Sequence, residues 1–259
     1  FFVIPQGQLT ETLLLFFYDD MKISVITATR NRKKFLAEAV ASVQKSIVAP
    51  LTNVTIEHIV YDDASTDGTR SLFAGPSIAN VKFFRSASHI GQSRARNEAI
   101  KRSTGEYLFV LDDDDIVVQR SLYNFACAAS GNPETRWFTA DFLRVDEELR
   151  YIPGDDYYGW VFETPEAMLN SIFKGEHFIQ HSLLFARDLF DKVGGYDEEL
   201  LLAEDLDLCI RFLRAGYMPK HQNFISSLIR RHGANLTHGV THQRHLASIV
   251  ALKKKYAHD

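Results

Sequence analysis

The sequence predicts an α/β fold with a mostly parallel central sheet flanked by helices. Two observations support this fold class: short apolar runs alternate with longer amphipathic segments, and the runs are mostly apolar on both faces. Such strands are typical of a parallel sheet that is covered by helices on each side. A third observation is that acidic residues follow two of the runs, at the carboxyl ends of strands where ligands of such sheets bind.

In the first half, four strands are predicted at residues 23–27, 56–61, 81–85 and 107–111, with helices at 33–45 and 93–102. The second half is less regular. Helices are predicted at 121–130, 166–173 and 204–214, strand-like runs at 138–145 and 182–186, a short helix that ends at Val193-Gly194-Gly195, and a last amphipathic helix at 241–256. Gly- and Tyr-rich residues 153–160 read as a loop.

Length and composition indicate one large folded domain. Of the 259 residues, 46% are hydrophobic and 24% are charged, which permits a large core. The 29 Lys and Arg residues against 33 Asp and Glu residues give a net charge of −4, so we expect no nucleic-acid partner. The apolar runs are too short to span a membrane, and we expect a cytoplasmic protein with reduced Cys127 and Cys209.

Three segments are expected along the chain. Residues 1–20 have no basic n-region and no cleavage site, and we interpret them as an extension outside the core, with Met21 as the natural start. Residues 21–237 are expected to form the main domain, with a C-terminal helical elaboration. Residues 238–259 hold the last helix, where Lys253 to Lys255 are either a solvated helix end or a peripheral contact with the inner face of an anionic membrane.

Acidic residues follow the second strand. Asp67 and Gly68 suit ordinary turn and helix-cap chemistry. Asp62 and Asp63 fit that explanation less well, because a carboxylate at the carboxyl end of a parallel strand can accept a hydrogen bond from a base N–H or a sugar hydroxyl.

Four consecutive aspartates, residues 112–115, follow the fourth strand. Like charges about 4 Å apart repel by roughly 4 kcal/mol at an effective dielectric near 20, so an unneutralised cluster would raise its own pKa values or splay into water. A divalent cation removes that cost, and oxygen ligands favour Mg²⁺ or Mn²⁺. A solvated acidic loop is the alternative.

A third acidic group, Glu204, Asp205 and Asp207, lies in the first turn of a predicted helix. Carboxylates there complement the helix dipole, and Asp207 with Arg211 forms a favourable i, i+4 pair. Considered alone, this group is explained by those two effects.

Short motifs in a specific order change the interpretation of all three acidic groups. They are residues 23–27 with Asn31-Arg32, residues 62–69, Gly91 with residues 95–97, residues 105–107, residues 111–115, residues 193–197 and residues 204–208. This ordered set resembles the family-two glycosyltransferases, which are inverting, nucleotide-sugar-dependent enzymes of the GT-A fold. The resemblance runs from Met21 to about Thr237.

The resemblance implies a nucleotide site. Thr27, Ala28 and Arg30 would line the pocket, although the family often has Pro or Thr at the place of Ala28 and an aromatic residue at the place of Arg30. Asp63 would accept a hydrogen bond from the base, which is usually uracil. Residues near the base or diphosphate would be Arg96 and Asn97. Asp112 would lie at the ribose or the metal, and Asp113 occupies the variable place of the D-x-D motif within the donor site, so the individual roles of the four aspartates stay open.

The resemblance also implies a metal site and a catalytic base. Asp114 would hold Mn²⁺ or Mg²⁺ on the diphosphate, with Asp112 and His232 as further candidate ligands. Asp205, with Glu204 as the second candidate, would deprotonate the acceptor hydroxyl.

The implied activity is transfer of a sugar from a nucleotide-diphosphate sugar, expected to be a UDP-sugar, to a hydroxyl of a glycan or lipid-linked acceptor. A nucleotide-sugar-binding module without catalysis is one alternative. A sugar-phosphate nucleotidyltransferase is another, but residues 27–32 lack the glycines that its phosphate loop requires. The aromatic residues Tyr157 to Trp160 are either acceptor contacts or an exposed flap.

Overall fold

The computed structural model describes residues 20–46, 53–154, 161–175, 182–200, 202–233 and 242–256, and from residue 242 to 246 the backbone alone. The predicted N-terminal extension lies outside these residues except for Asp20, and so does the aromatic segment Tyr157 to Trp160. The domain boundaries proposed from the sequence at residues 20 and 237 stay predictions.

In the described part of the chain, the strands are β1 (Met21–Thr29), β2 (Val54–Asp62), β3 (Val81–Arg85), β4 (Tyr107–Val110), β5 (Ile116–Val117), β6 (Trp137–Val145), β7 (Leu184–Ala186) and β8 (Lys220–Arg230). The helices are α1 (Lys33–Gln44), α2 (Gln92–Lys101), α3 (Ser121–Ser130), α4 (Pro165–Lys174), α5 (Arg187–Lys192), α6 (Glu204–Arg214) and α7 (His242–Tyr256), with a 3-10 helix at Thr69–Phe73. Where the sequence predicts bounds for an element, they agree within two residues.

All eight strands form one sheet in the order β3-β2-β1-β4-β7-β6-β8-β5. The predicted parallel arrangement is confirmed for β3, β2, β1 and β4. Strand β7 then runs antiparallel to both β4 and β6, and β8 is parallel to β6. Because the direction reverses twice between β4 and β8, the carboxyl ends of β1, β4 and β8 lie at the same edge.

The sequence does not predict β5 or β8. Strand β8 pairs along β6 from Phe138 opposite Lys220 to Val145 opposite Arg230, with register shifts around Asp141. Its first residues are polar and only partly buried, so they carry no strand pattern of their own. The pairing matters for function because it delivers Arg230 and His232 to the edge of the sheet where the acidic residues lie.

The strands are buried on both faces, as their composition predicts. In β4, Leu108 and Val110 join a core formed with α2, α4, α6 and α7, whereas Tyr107 and Phe109 join a core formed with α1 and α3. Helix α7 contributes Ile249 and Leu252 to the first of these cores. Among the described residues, the structure has no helix that is long and apolar enough to cross a membrane.

Gly105, just before β4, permits a close approach between two backbones. A Cβ atom at this position would lie 2.5 Å from Ser24 Oγ and 2.6 Å from Ser24 N. The Gly105 amide instead donates to Ser24 Oγ at 2.8 Å. This contact gives the Gly-Glu-Tyr motif a packing role beside β1.

Ser24 also contacts Glu57, a buried carboxylate within β2. It accepts hydrogen bonds from the Thr104 amide (2.5 Å), Ser24 Oγ (2.8 Å) and Lys82 Nζ (2.9 Å). Burial by itself raises the pKa of Glu57, but these hydrogen bonds outweigh burial and lower the pKa from 4.5 to about 2.

We expect Glu57→Gln to lower the free energy of unfolding by about 2–3 kcal/mol at neutral pH. Because the folded-state pKa is depressed, the contribution of Glu57 is complete above the unfolded pKa of 4.5 and is lost as the pH falls towards about 2. Urea unfolding at several pH values measures this, with exposed Glu163→Gln as the control. Equal stabilities of Glu57→Gln and wild type at pH 7 would contradict the assignment.

Candidate active site

The four aspartates after β4 form a compact cluster. Asp113, Asp114 and Asp115 are buried and Asp112 is partly exposed. Carboxylate oxygens of Asp112, Asp114 and Asp115 lie within 4.8 Å of one another. The cluster therefore does not splay into water, which was one of the two ways of lowering its repulsion.

Arginines from three separate parts of the chain contact the cluster; Arg32 and Arg96 form ion pairs with its carboxylates, whereas the guanidinium of Arg230 pairs with Glu38. Arg96 Nη2 lies 2.5 Å from Asp112 Oδ1. Arg32 Nη1 donates to Asp113 Oδ1 at 2.9 Å and to Asp114 Oδ2 at 2.5 Å. Arg230 donates its backbone N–H to Asp115 (2.9 Å) and its guanidinium Nε–H to the Asp114 carbonyl (2.9 Å). From the sequence, Arg32 belongs to a motif and Arg230 lies two residues before His232, but neither side chain was given a role at the aspartates.

The compensation is incomplete at Asp113. Burial raises the pKa of Asp113 to about 7 against the opposing effect of Arg32, and the charges of Asp114 and Asp112 add to the rise. Burial therefore favours the protonated form of Asp113 more than in a free aspartate. A divalent cation would compete with that proton, because metal ligands must be deprotonated.

The residues fit a hard divalent cation. Asp112, Asp114 and Asp115 offer converging carboxylate oxygens, the ligands that Mg²⁺ and Mn²⁺ prefer. His232 Nε2 lies 2.9 Å from Asp114 Oδ2, and its ring packs against Phe35 at 4.3 Å between centroids. The structure thus brings the candidate ligands Asp112 and Asp114 together with Asp115, which had no role of its own in the sequence analysis, and places the third candidate, His232, beside Asp114.

Thr27 bonds the residue that precedes the cluster. Its side chain is fully buried, and its hydroxyl donates to the carbonyl of Leu111 at 2.9 Å. The Thr27 hydroxyl oxygen also lies 2.9 Å from His58 Nε2. Burial lowers the pKa of His58 to about 3, so the imidazole is neutral. Thr27 holds the start of the acidic loop, whereas Ala28 is partly buried and Arg30 is exposed just beyond β1.

Asp63 organises the loop that leads into α2. Its carboxylate accepts from the amides of Ile90 (2.7 Å) and Gly91 (3.0 Å) and from Ser86 Oγ (3.2 Å), and it lies 2.6 Å from His89 Nδ1. A nucleotide base could bind Asp63 only by replacing or sharing one of these donors.

Asp67 has the cap function that the sequence predicts. One oxygen accepts from the amide of Thr69 at 3.0 Å, at the start of the 3-10 helix. The other accepts from the amide of Lys33 at 2.8 Å, in the first turn of α1. Asp67 therefore joins the ends of β1 and β2.

Arg96 connects the acidic cluster to the predicted catalytic pair. The side chain is 2% exposed, and Nη1 lies 2.6 Å from Glu204 Oε1 while Nη2 contacts Asp112. Burial raises the pKa of Glu204, with Arg96 opposing the rise. The neighbouring Asn97 is directed elsewhere: its side chain bonds the amide (3.0 Å) and carbonyl (2.9 Å) of Tyr196.

The two aspartates of α6 differ in environment. Asp205 is partly buried, and its Oδ1 accepts from the adjacent Leu206 amide at 2.8 Å. Asp207 is fully buried and accepts from Arg211 (2.9 Å), Lys255 (2.7 Å) and Tyr256 (2.6 Å). The dipole and i, i+4 explanation thus suits Asp207, which ties α7 to α6, better than Asp205.

Comparison with known proteins identifies the family to which the chain is similar. The family model described as glycosyl transferase family 2 matches residues 24–194, more than half of the chain. The uncharacterized glycosyltransferase YwdF of Bacillus subtilis is 23% identical over 202 residues, which cover 74% of this chain and 68% of YwdF. The poly(ribitol-phosphate) β-N-acetylglucosaminyltransferase TarS of Staphylococcus aureus is 31% identical over 108 residues, 41% of this chain and 18% of TarS.

Solved structures show the same fold. TarS residues 1–349 in complex with UDP-GlcNAc has a TM-score of 0.69 at 19% identity, covering 90% of this chain and 65% of that one. The mannosyltransferase PcManGT of Pyrobaculum calidifontis, in complex with GDP-Man and Mn²⁺, has a TM-score of 0.63 at 19% identity and covers 92% of this chain and 64% of that one. The GT-A fold implied by the motifs is confirmed.

Proposed function

The chain belongs to glycosyl transferase family 2 and is a glycosyltransferase, and we propose that it moves one sugar from a UDP-sugar to a hydroxyl group of a glycan or lipid-linked acceptor with inversion at the anomeric carbon. One observation carries the proposal. The guanidinium of Arg96 bonds both Asp112 of the acidic cluster and Glu204, the neighbour of Asp205. The proposed metal–diphosphate site and the proposed base thus lie beside one another.

The proposed donor site extends across the carboxyl ends of β1, β2 and β4. The base would lie near Asp63 and Arg30, and the diphosphate near Asp112 and Asp114. A UDP-sugar is supported by the structural likeness to TarS, which was solved with UDP-GlcNAc, although PcManGT was solved with GDP-Man. We propose that Thr27 and Asn97 support the site without contacting the donor, because their side chains already form hydrogen bonds with the backbone of Leu111 and Tyr196.

Mn²⁺ or Mg²⁺ is the proposed cofactor. Asp112, Asp114 and Asp115 would hold it, with His232 beside Asp114. When bound, the cation would offset the negative charge that gathers on the departing diphosphate. Mn²⁺ in PcManGT supports the choice of cation.

Asp205 is the proposed general base. It would accept the proton of the acceptor hydroxyl while the hydroxyl oxygen bonds to the anomeric carbon and the bond to the diphosphate oxygen breaks on the opposite face. Glu204 is the weaker candidate, because Arg96 already bonds its carboxylate. The products are the glycosylated acceptor and UDP, with no covalent enzyme intermediate.

A binding module without catalysis is the alternative to an active enzyme, and membership of a glycosyltransferase family argues against it. Asp205 agrees with catalysis, because it is a partly exposed carboxylate at the amino end of α6. Release of UDP from a UDP-sugar in the presence of an acceptor separates the two, since a module would release none.

The proposed membrane contact would involve Lys253 and Lys254 of α7. The third lysine of this group, Lys255, already forms ion pairs with Asp197 and Asp207.

We expect UDP to bind in the presence of Mn²⁺ and to bind at least tenfold more weakly in the presence of a chelator, because about 1.4 kcal/mol of metal–diphosphate interaction gives a factor of ten. Calorimetric titration of UDP, GDP and dTDP, each with Mn²⁺ and with chelator, measures this without an acceptor. GDP binding more tightly than UDP would overturn the donor assignment.

Asp114→Ala is the matched variant for that titration. It should reduce the binding of UDP with Mn²⁺ to the level that wild type shows with chelator. Metal-dependent binding that survives in Asp114→Ala would contradict the proposed metal site.

A further inference from the structure

Arg32 occupies a fixed position at the entrance to the acidic cluster. It directly precedes α1, where the next amide, that of Lys33, is bonded by Asp67. The preceding residue, Asn31, donates its amide to Ser65 Oγ at 2.9 Å and accepts from the amide of Thr66 at 2.7 Å. The backbone is therefore anchored to the loop after β2, while the side chain reaches across to the loop after β4.

The guanidinium of Arg32 bonds the carboxylate on which the proposed metal site depends. Its Nη1 lies 2.5 Å from Asp114 Oδ2, the oxygen that also lies 2.9 Å from His232 Nε2. A guanidinium and a divalent cation on one carboxylate repel each other. Metal binding to Asp114 is therefore opposed by the contact with Arg32.

A nucleotide diphosphate offers Arg32 another partner. The guanidinium is planar and binds phosphate oxygens as readily as carboxylate oxygens. The side chain is 15% exposed, and the anchored backbone holds its guanidinium at the cluster where the diphosphate is proposed to bind. A metal-bound diphosphate at Asp114 would bring phosphate oxygens within its reach.

We propose that Arg32 is an exchangeable counter-ion that couples metal binding to nucleotide binding. It pairs with Asp113 and Asp114 in the absence of ligand and transfers to the diphosphate when metal and nucleotide bind together. The metal alone binds weakly, because it must compete with Arg32. With the diphosphate present, the two ligands bind cooperatively and each strengthens the other by the same factor. This inference rests on the metal site of the proposed function.

Electron paramagnetic resonance of free Mn²⁺ tests the inference without reference to activity. Wild type, Arg32→Gln and Arg32→Lys are titrated with Mn²⁺, each with and without UDP. Arg32→Gln should bind Mn²⁺ alone about tenfold more tightly than wild type, and UDP should then strengthen Mn²⁺ binding less than it does in wild type. Arg32→Lys keeps the positive charge and should bind Mn²⁺ alone as weakly as wild type.

Arg150→Gln is the matched control, since Arg150 is exposed and pairs with Asp146 and Glu148. It should leave Mn²⁺ binding unchanged. Mn²⁺ binding to Arg32→Gln that is no tighter than to wild type would overturn the role of Arg32 and leave the metal site standing. Absence of Mn²⁺ binding in every protein, with and without UDP, would overturn the metal site and the inference together.

Discussion

Replacing Asp205 by Asn should reduce sugar transfer by about 10³-fold, the typical contribution of a positioned general base. The amide cannot accept the acceptor proton, but it has nearly the same size and can still accept from the Leu206 amide. The first turn of α6 should therefore keep its structure. UDP release measures transfer, and calorimetry of UDP with Mn²⁺ should give the wild-type affinity.

Two further variants sharpen this result. Asp191→Asn changes an exposed carboxylate on α5 and should retain full activity. Glu204→Gln should lose stability as well as activity, because it weakens the bond to Arg96. If Asp205→Asn kept transfer within fivefold of wild type while Glu204→Gln lost it, the base would be Glu204. Loss of UDP binding in Asp205→Asn would place Asp205 in the donor site instead.

The order of elements was predictable because most of them carry their own local pattern. Helix α6 is an example, since its acidic first turn, apolar stripe and the following Gly216 mark both ends. Strand β8 shows the limit. Its sequence starts with polar residues, and the faces that it buries are determined by pairing with β6, about eighty residues earlier in the chain. The position of β7, antiparallel between β4 and β6, likewise depends on tertiary contacts and cannot be predicted from local periodicity.

The site was likewise predictable in part. The positions of the carboxylates could be predicted from the ends of the strands, because parallel strands end at a common edge. The resemblance placed Arg96 near the base or diphosphate, but the bonds of Arg32, Arg96 and Arg230 to the aspartates were not predictable, since the three arginines meet the aspartates only in the folded state. Repulsion among the aspartates favoured a bound divalent cation, with a solvated acidic loop as the alternative. It could not indicate that the protein supplies part of the compensating positive charge itself.

Arg96→Gln should lower the free energy of unfolding by about 3–5 kcal/mol at neutral pH, because it leaves Asp112 and Glu204 without their shared cation. Urea unfolding measures the loss. Transfer activity should fall as well, since the contact between the acidic cluster and α6 is removed. Arg94→Gln is the matched control two residues earlier in α2, where the exposed arginine pairs with Glu198.

The pH dependence separates lost charge compensation from lost packing. Burial already raises the pKa of Glu204, and Arg96 opposes the rise, so the variant should raise this pKa further. A carboxyl whose folded-state pKa lies above its unfolded value binds more protons in the folded state, and stability then falls as the pH rises between the two values. The deficit of Arg96→Gln should therefore be smaller at pH 5 than at pH 8. A deficit that is the same at both pH values would mean that Arg96 contributes by packing against Tyr196 rather than by its charge.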